Sequence, residues 1–145
     1  MKKDFSKIKL FAMDVDGTLT DGKIYIGNDG EVMKAFNAKD GLGIKGIVPI
    51  IITGRRSKIV TRRCEEIGIT VLYQGVRDKA DILKNVIAKY DCTPEQTVYI
   101  GDDMNDLSAM QTAGITFAPA DCAAALLPYV DFVLTQKSGD APVRE

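Results

Sequence analysis

Short apolar runs alternate with amphipathic segments along most of the chain. A run such as Val48–Ile52 is apolar throughout, which is typical of a strand buried on both faces. Between such runs, Val60 and Cys64 in the segment 57–66, and Ile67 directly after it, recur at helical spacing. Strands that alternate with helices form a parallel sheet covered on both faces, so the pattern predicts an α/β, Rossmann-like doubly wound sheet. The predicted strands are 10–13, 48–52, 69–73, 98–100, 115–118 and 132–135.

Capping signals set the predicted helix boundaries. Ser57 is expected to cap the helix over 57–66, and Gly68 to end it. Lys79 opens the next helix. Asp40 is expected to be the N-cap of a short helix that runs to Gly46.

Residues 23–36 predict a β-hairpin, because an Asp-Gly pair separates two β-rich runs. Apolar side chains fall on both faces of this hairpin, and such a hairpin needs cover on both. We therefore interpret it as a flap that packs on its own body and on another subunit. A plain surface hairpin is the alternative.

Composition narrows the class of protein. A length of 145 residues predicts one domain, spanning 1–145, and the net charge of −1 gives no reason to expect a nucleic-acid or membrane partner. Three widely spaced cysteines predict reduced thiols in a cytoplasmic protein. The chain has no histidine, so acid–base chemistry must come from Asp, Glu or Lys.

The chemistry centres on the Asp14-Val15-Asp16-Gly17 stretch that follows the first apolar run. Residues two apart on an extended backbone point the same way, so Asp14 and Asp16 share a face. Two carboxylates that close need a cation or a shared proton. Carboxylates combined with a substrate phosphate suit Mg²⁺, whereas the plainer alternative is an acidic turn at a strand end.

Three later residues follow strands or open helices at the same sheet edge: Thr53, Lys79 and Asp102. With Asp14 they predict a phosphate-transfer site, in which Mg²⁺ and the Lys79 ammonium offset the repulsion between a phosphate and a carboxylate nucleophile. Asp103 or Asp106 would orient Asp102 or the waters on the metal. The alternatives are a turn at Thr53-Gly54, a solvated helix start at Lys79 and an N-cap at 101–103.

In chain order these motifs resemble the four motifs of the haloacid dehalogenase-superfamily phosphatases. The resemblance implies that Asp14 is a nucleophile that forms an aspartyl-phosphate. It implies that Asp16 first protonates the leaving alcohol and then activates water. It also implies that Mg²⁺ is held by Asp14, the main-chain carbonyl of Asp16, and Asp102.

Further stretches resemble the capless branch of that superfamily, which dephosphorylates 3-deoxy-D-manno-octulosonate 8-phosphate. Those stretches are 36–43, 53–57, 72–75 and 78–79, together with Arg63. The branch implies a homotetramer in which the flap of one subunit covers a neighbour's site. The intervals between the motifs leave no room for an inserted cap domain. The implied substrate-binding residues are Thr53, Gly54, Arg55, Lys79, Asn105, Asp40 and Arg63.

Three alternatives remain at this point. Phosphatases of nine-carbon sialic-type sugar 9-phosphates share nearly all of these motifs. A signalling receiver module also combines a phospho-accepting Asp with acidic metal ligands, a Thr and a Lys. A catalytically idle subunit is the third. The position of Asp14 on the first strand and the presence of Asp16 favour the hydrolase.

Overall fold

The computed structural model describes residues 3–44 and 46–145, and a six-stranded parallel sheet lies at its centre. Two further strands pair with each other as an antiparallel hairpin. Numbered along the chain, the strands are β1 (Leu10–Met13), β2 (Tyr25–Gly27), β3 (Gly30–Met33), β4 (Val48–Ile52), β5 (Val71–Tyr73), β6 (Thr97–Ile100), β7 (Ile115–Ala118) and β8 (Phe132–Val133). The order in the large sheet is β5-β4-β1-β6-β7-β8, and every neighbouring pair is parallel. The predicted α/β class is confirmed.

Helices cover both faces of this sheet. Successive side chains of a strand point to opposite faces, so each face contributes its own apolar side chains to the core. On one face Ile50 and Ile52 pack with Leu83 of the third helix, and on the other Ile51 packs with Val60 of the second. The α-helices are α1 (Asp40–Gly43), α2 (Lys58–Ile67), α3 (Lys79–Lys89) and α4 (Leu107–Thr112). Short 3₁₀ turns lie at Phe5–Lys7, Pro94–Gln96, Met104–Asp106 and Ala124–Tyr129. Within the described residues, none of the helices is long and apolar enough to cross a membrane.

The strand register brings three chain segments to one edge of the sheet. Met13 at the end of β1 lies beside Ile51 of β4 and Ile100 of β6. The loops that follow β1, β4 and β6 therefore start side by side. The chain also reverses its direction of winding at β1, because β4 and β5 lie on one side of it and β6 to β8 on the other. Such a switch point is where open α/β sheets bind ligands.

The predicted hairpin is present but shorter than the expected 23–36, with a two-residue turn at 28–29 between β2 and β3. Its apolar side chains are largely exposed, Ile26 at 72 % and Val32 at 61 %. In the described part of the chain, only this hairpin and α1 lie between β1 and β4. That interval therefore holds no cap domain, as the sequence predicted.

One capping prediction is wrong. Asp40 is the first residue of α1 and not its N-cap, and α1 ends at Gly43, well before the predicted Gly46. The predicted range also included residue 45, which lies outside the described residues. The physical reason is tertiary: the Asp40 carboxylate accepts the backbone N–H of Arg144 at 3.1 Å, far away in sequence, instead of an N–H of its own helix.

The predictions for α2 and α3 are confirmed. The Ser57 hydroxyl accepts the N–H of Val60 at the start of α2, and Gly68 ends that helix in the left-handed region at φ +75°. The strand expected from residue 69 begins only at Val71. Ile69 is not available to it because its N–H bonds to the Cys64 carbonyl and closes the end of α2.

Candidate active site

A cleft of about 180 Å³ opens at the carboxyl ends of β1, β4 and β6. All eight residues that line it are predicted site residues: Asp14, Asp16, Thr53, Gly54, Arg55, Asp102, Asp103 and Asn105. They come from three loops that are distant in sequence, and the strand register described above brings these loops together. A small polar cleft at a topological switch point suits a small charged ligand.

Asp14 lies at the floor of the cleft and is only 4 % exposed. One of its carboxylate oxygens accepts the N–H of Val15 at 2.8 Å and lies 3.1 Å from the Lys79 ammonium. Burial, together with the charge of Asp106, raises the pKa of Asp14 to about 6 in the absence of a metal. The Lys79 charge opposes this shift.

Lys79 is buried beneath the cleft and joins two carboxylates. Its ammonium lies 2.7 Å from Asp106 Oδ1 and 3.1 Å from Asp14 Oδ1. Burial lowers the pKa of Lys79, but the charges of Asp14 and Asp106 outweigh that effect and raise it above its ordinary value. The interpretation of Lys79 as a solvated helix start is therefore wrong, and its charge is directed at the predicted nucleophile.

Asp106 is fully buried and accepts four donors. Its Oδ1 accepts the Lys79 ammonium and the Tyr99 hydroxyl, both at 2.7 Å, and its Oδ2 accepts the backbone N–H groups of Asp102 and Asp103. Both carboxylate oxygens of Asp106 thus hold neighbouring groups of the protein in place. Tyr99 was not predicted as a site residue, because its position in a buried apolar strand gave no indication of a role for its hydroxyl. Burial and the nearby Asp106 raise the pKa of Tyr99, so its hydroxyl is a donor.

Three carboxylates could hold a metal ion, since oxygens of Asp14, Asp102 and Asp106 lie within 4.8 Å of one another. Because Asp106 is already saturated by donors, Asp14 and Asp102 are the pair left to face a cation. Burial, then repulsion by Asp14 and Asp106, raises the pKa of Asp102 to about 7. Two such carboxylates at one site are the arrangement that a hard divalent cation relieves.

Gly17 allows Asp102 to approach the loop after β1. It has φ +85°, and a Cβ at this position would lie 2.0 Å from Asp102 Oδ2. Both the backbone angle and the contact require glycine. The lack of a side chain at Gly17 therefore allows the loop after β1 to pack directly against Asp102 in the loop after β6.

Asp16 lines the cleft and contacts two basic side chains. The Lys34 ammonium donates a hydrogen bond to Asp16 Oδ1, and Arg55 Nε lies 3.8 Å from Asp16 Oδ2. The contact with Arg55 joins two predicted site residues. Lys34, which follows β3, was not predicted, because no motif or periodic pattern in the sequence relates it to Asp16.

Thr53 is buried and its backbone is fixed on both sides. Its N–H donates to the Tyr73 carbonyl at 2.9 Å, and its carbonyl accepts the N–H of Val76 at 3.1 Å. These bonds tie the loop after β4 to the loop after β5. Gly54 and Asn105 are exposed along the cleft, where a ligand can reach them.

Asp40 and Arg63, which were predicted to bind substrate, do not line this cleft. They border a separate, mostly apolar pocket in which Arg63 lies 5.7 Å from the centre of the Phe36 ring. Burial raises the pKa of Asp40 to about 6, although the N–H groups of Arg144 and Val143 and the charge of Arg63 oppose the shift. A contact of either residue with substrate stays a prediction.

Comparison with known proteins places this site in a family. The haloacid dehalogenase-like hydrolase model matches residues 68–143. The 3-deoxy-D-manno-octulosonate 8-phosphate phosphatase KdsC of Yersinia pestis is 44 % identical over 145 residues, covering 97 % of this chain and 78 % of that protein. This chain therefore belongs to the haloacid dehalogenase-like hydrolases.

Solved structures narrow the similarity to one branch. The cobalt-bound deoxy-D-mannose-octulosonate 8-phosphate phosphatase of Haemophilus influenzae matches with a TM-score of 0.92 and 38 % identity, over 95 % of this chain and 84 % of that one. The Moraxella catarrhalis phosphatase, solved with magnesium, phosphate and KDO, matches with a TM-score of 0.90 and 40 % identity, over 95 % and 82 %. The resemblance predicted from the sequence motifs is confirmed.

Proposed function

We infer that this protein is a Mg²⁺-dependent phosphomonoesterase that acts on 3-deoxy-D-manno-octulosonate 8-phosphate through an aspartyl-phosphate on Asp14. The observation that carries the proposal is the position of Asp14, which is buried at the floor of the cleft between the Lys79 ammonium and the carboxylate of Asp102. Relatives that are 44 % and 40 % identical bear the name of that phosphatase, and one was solved with KDO.

The residues present fit a magnesium ion. Burial, followed by repulsion from neighbouring carboxylates, raises the pKa values of Asp14 and Asp102, and together with the Asp16 carbonyl these two side chains would hold the ion. When bound, Mg²⁺ supplies positive charge at the phosphoryl oxygens and allows an anionic nucleophile to approach a phosphate. Lys79 supplies a second positive charge, 3.1 Å from Asp14 Oδ1.

The chemistry assigned to the side chains comprises two displacements. In the first, an Asp14 oxygen forms a bond to phosphorus, the bond to the sugar oxygen breaks, and Asp16 gives its proton to that oxygen. In the second, Asp16 takes a proton from water, whose oxygen attacks phosphorus and releases phosphate while Asp14 is regenerated. Thr53 and Asn105 border the space in which the phosphoryl oxygens would lie.

Two properties beyond the chemistry belong to the proposal. We expect a homotetramer, supported by the exposed apolar side chains of the hairpin and by the open cleft. We also expect a cytoplasmic location, supported by free thiols at Cys64, Cys92 and Cys122.

Arg55, which is 44 % exposed at its side chain, is the candidate partner for a sugar carboxylate.

Steady-state release of phosphate from a panel of esters tests the proposal. The panel compares 3-deoxy-D-manno-octulosonate 8-phosphate, a nine-carbon sialic-type sugar 9-phosphate and a hexose 6-phosphate by kcat/KM at saturating Mg²⁺. We expect the first ester to be best and Asp14→Asn to lose at least about 10³-fold in kcat.

The controls separate the alternatives. Removal of Mg²⁺ by a chelator should stop turnover of the wild-type protein. Near-normal hydrolysis by Asp14→Asn would overturn the mechanism, and equal cleavage of hexose 6-phosphate would overturn the substrate. A single phosphorylation without repeated turnover would indicate a receiver-like module.

A further inference from the structure

The hairpin supplies two charged residues that contact Asp16 and Arg55, which line the cleft of the same chain. Glu31 of β3 and Lys34, just after it, form a cluster with Asp16, Arg55 and Ser57, which we call the flap cluster. The rest of the hairpin is largely exposed, but the Lys34 side chain is only 1 % exposed. A buried ammonium in an otherwise solvated element requires an explanation.

Lys34 bridges two carboxylates. Its ammonium donates a hydrogen bond to Asp16 Oδ1 and lies 3.2 Å from Glu31 Oε2. Arg55 approaches the same two acids from its own side, with Nε 3.8 Å from Asp16 and Nη2 3.6 Å from Glu31. Each of the two acidic side chains therefore contacts both basic ones, and neither acid is held by a single partner.

Glu31 is also held by a residue outside the hairpin, at the start of α2. The Ser57 hydroxyl donates to Glu31 Oε1, and Ser57 caps the start of α2. Burial alone would raise the pKa of Glu31, but the hydrogen bonds from Ser57 and Lys34 and the charges of Lys34 and Arg55 lower it. Glu31 is thus an ionised anchor between a helix and Lys34.

Loss of Asp16 or Glu31 would leave the buried Lys34 ammonium with one acidic partner fewer. Breaking a buried pair from one side is strongly unfavourable because the partner keeps the cost of its desolvation. The cluster therefore specifies one position for each of its members. For Asp16, that position is in the lining of the cleft that the Asp14 carboxylate also lines.

We propose that Lys34 is a positioning residue for Asp16, and that Glu31 in turn positions Lys34, so that the hairpin of each chain orients the acid–base group of its own site. The proposal rests on the proposed function, in which Asp16 protonates the leaving oxygen. It assigns the hairpin a role within its own subunit, separate from any cover of a neighbour.

Leaving-group dependence gives a measurement that a purely structural role would not produce. An alkyl sugar oxygen needs a proton as it departs, whereas 4-nitrophenolate leaves readily without one. The ratio kcat/KM reports only the steps up to release of the alcohol. Misplacement of Asp16 should therefore lower kcat/KM for the sugar phosphate and spare 4-nitrophenyl phosphate.

The test compares Lys34→Met, Lys34→Arg and Glu31→Gln with the matched control Lys23→Met, which changes an exposed lysine just before the same hairpin. For Lys34→Met we expect kcat/KM to fall about 10²-fold on 3-deoxy-D-manno-octulosonate 8-phosphate and less than about threefold on 4-nitrophenyl phosphate. Glu31→Gln should lose about tenfold on the sugar phosphate, and Lys34→Arg should recover much of the loss because it keeps the charge. Lys23→Met should match the wild type.

A double-variant cycle makes the assignment specific. If Lys34 acts through Asp16, Lys34→Met should cost little in an Asp16→Asn background, because the group it positions is already gone. The Mg²⁺ concentration for half-maximal activity should stay within about twofold of wild type, since the cluster contacts the Asp16 side chain and neither its main-chain carbonyl nor the carboxylates of Asp14 and Asp102.

Several outcomes would overturn the inference. Equal losses on both esters, additive losses in the cycle, or wild-type activity of Lys34→Met would each do so. If Lys34→Met fails to fold, as judged by its melting temperature, Glu31→Gln and Lys34→Arg carry the test alone. Activity of Asp14→Asn would instead refute the proposed function, and that result is independent of the hairpin variants.

Discussion

At the scale of single residues, the site is governed by an imbalance of charge. Lys79 supplies one buried positive charge, but Asp14, Asp102 and Asp106 supply three negative ones when ionised. Asp106 is stabilised by four hydrogen-bond donors, so Asp14 and Asp102 are the carboxylates whose negative charge is least balanced. Burial, reinforced by repulsion among the carboxylates, raises their pKa values to about 6 and about 7.

This imbalance predicts a pH-dependent response to Mg²⁺. Folded-state pKa values raised above the unfolded ones mean that the metal-free protein gains stability as pH falls through about 7 and 6, because the folded state binds more protons. Mg²⁺ competes with those protons. We therefore expect the increase in melting temperature caused by Mg²⁺ to be large at pH 8 and small below pH 6.

Thermal unfolding with and without saturating Mg²⁺ across this pH range measures the effect. Asp102→Asn should remove most of the increase at pH 8 and should raise the melting temperature of the metal-free protein, since one repulsive charge is gone. A Mg²⁺ effect that is independent of pH would show that these carboxylates do not bind the ion.

At the scale of elements, the strands were predictable because they coincide with apolar runs, and both ends of α2 were predictable from the capping residues Ser57 and Gly68. Asp14, Thr53 and Asp102 follow strands whose ends align, so their convergence follows from parallel pairing alone. The N-cap assigned to Asp40 failed because a distant backbone N–H, that of Arg144, competed for its carboxylate. Local sequence carries no information on such a partner.

The unpredicted members of the site share that physical cause. Tyr99 lies in a buried strand, and only the fold shows that its hydroxyl reaches Asp106. Lys34 reaches Asp16 across 18 positions of sequence through the path of the hairpin. Each is a polar group whose role depends on a tertiary partner, whereas the predicted residues belong to compact motifs.

Loop geometry at Gly17 supports a further prediction. Gly17→Ala would place a methyl group 2.0 Å from Asp102 Oδ2, in addition to backbone strain at φ +85°. We expect the loss of Mg²⁺-dependent stabilisation and at least about a 10²-fold loss in kcat/KM, since Asp102 must move. Melting curves with Mg²⁺ and kinetics measure both effects.

Gly68→Ala is the matched control for backbone strain. Gly68 has φ +75°, but no heavy atom lies within 4 Å of a Cβ built there. This variant should lose about 1–2 kcal/mol of unfolding free energy and keep its response to Mg²⁺. If the two variants behaved alike, strain alone would explain Gly17, and its contact with Asp102 would be unimportant.

At the scale of the whole molecule, the cleft is open to solvent and the hairpin beside it exposes apolar side chains. Ile24, Ile26, Val32 and Met33 are 42 %, 72 %, 61 % and 50 % exposed. Apolar side chains clustered in one small element mark an interaction surface. A second copy of the chain would cover this surface and exclude water from a site that depends on electrostatic stabilisation.

The double variant Ile26→Glu/Val32→Glu tests this assembly. Charges at two exposed apolar positions should prevent burial of the hairpin between subunits. We expect light scattering to show a tetramer for the wild type and a smaller species for the variant. The variant should lose kcat/KM on the sugar phosphate while each subunit keeps its Mg²⁺-dependent rise in melting temperature, because the metal carboxylates belong to one chain.

The control and the contrary result follow from the same geometry. Leu127→Glu changes another exposed apolar residue, 45 % exposed, in the Ala124–Tyr129 turn, and it should leave both the mass and the kinetics unchanged. A wild-type protein that is fully active as a monomer at assay concentration would refute the tetramer. In that case another partner would have to cover the exposed hairpin. The flap cluster would then orient Asp16 without a neighbouring subunit, since all of its contacts lie within one chain.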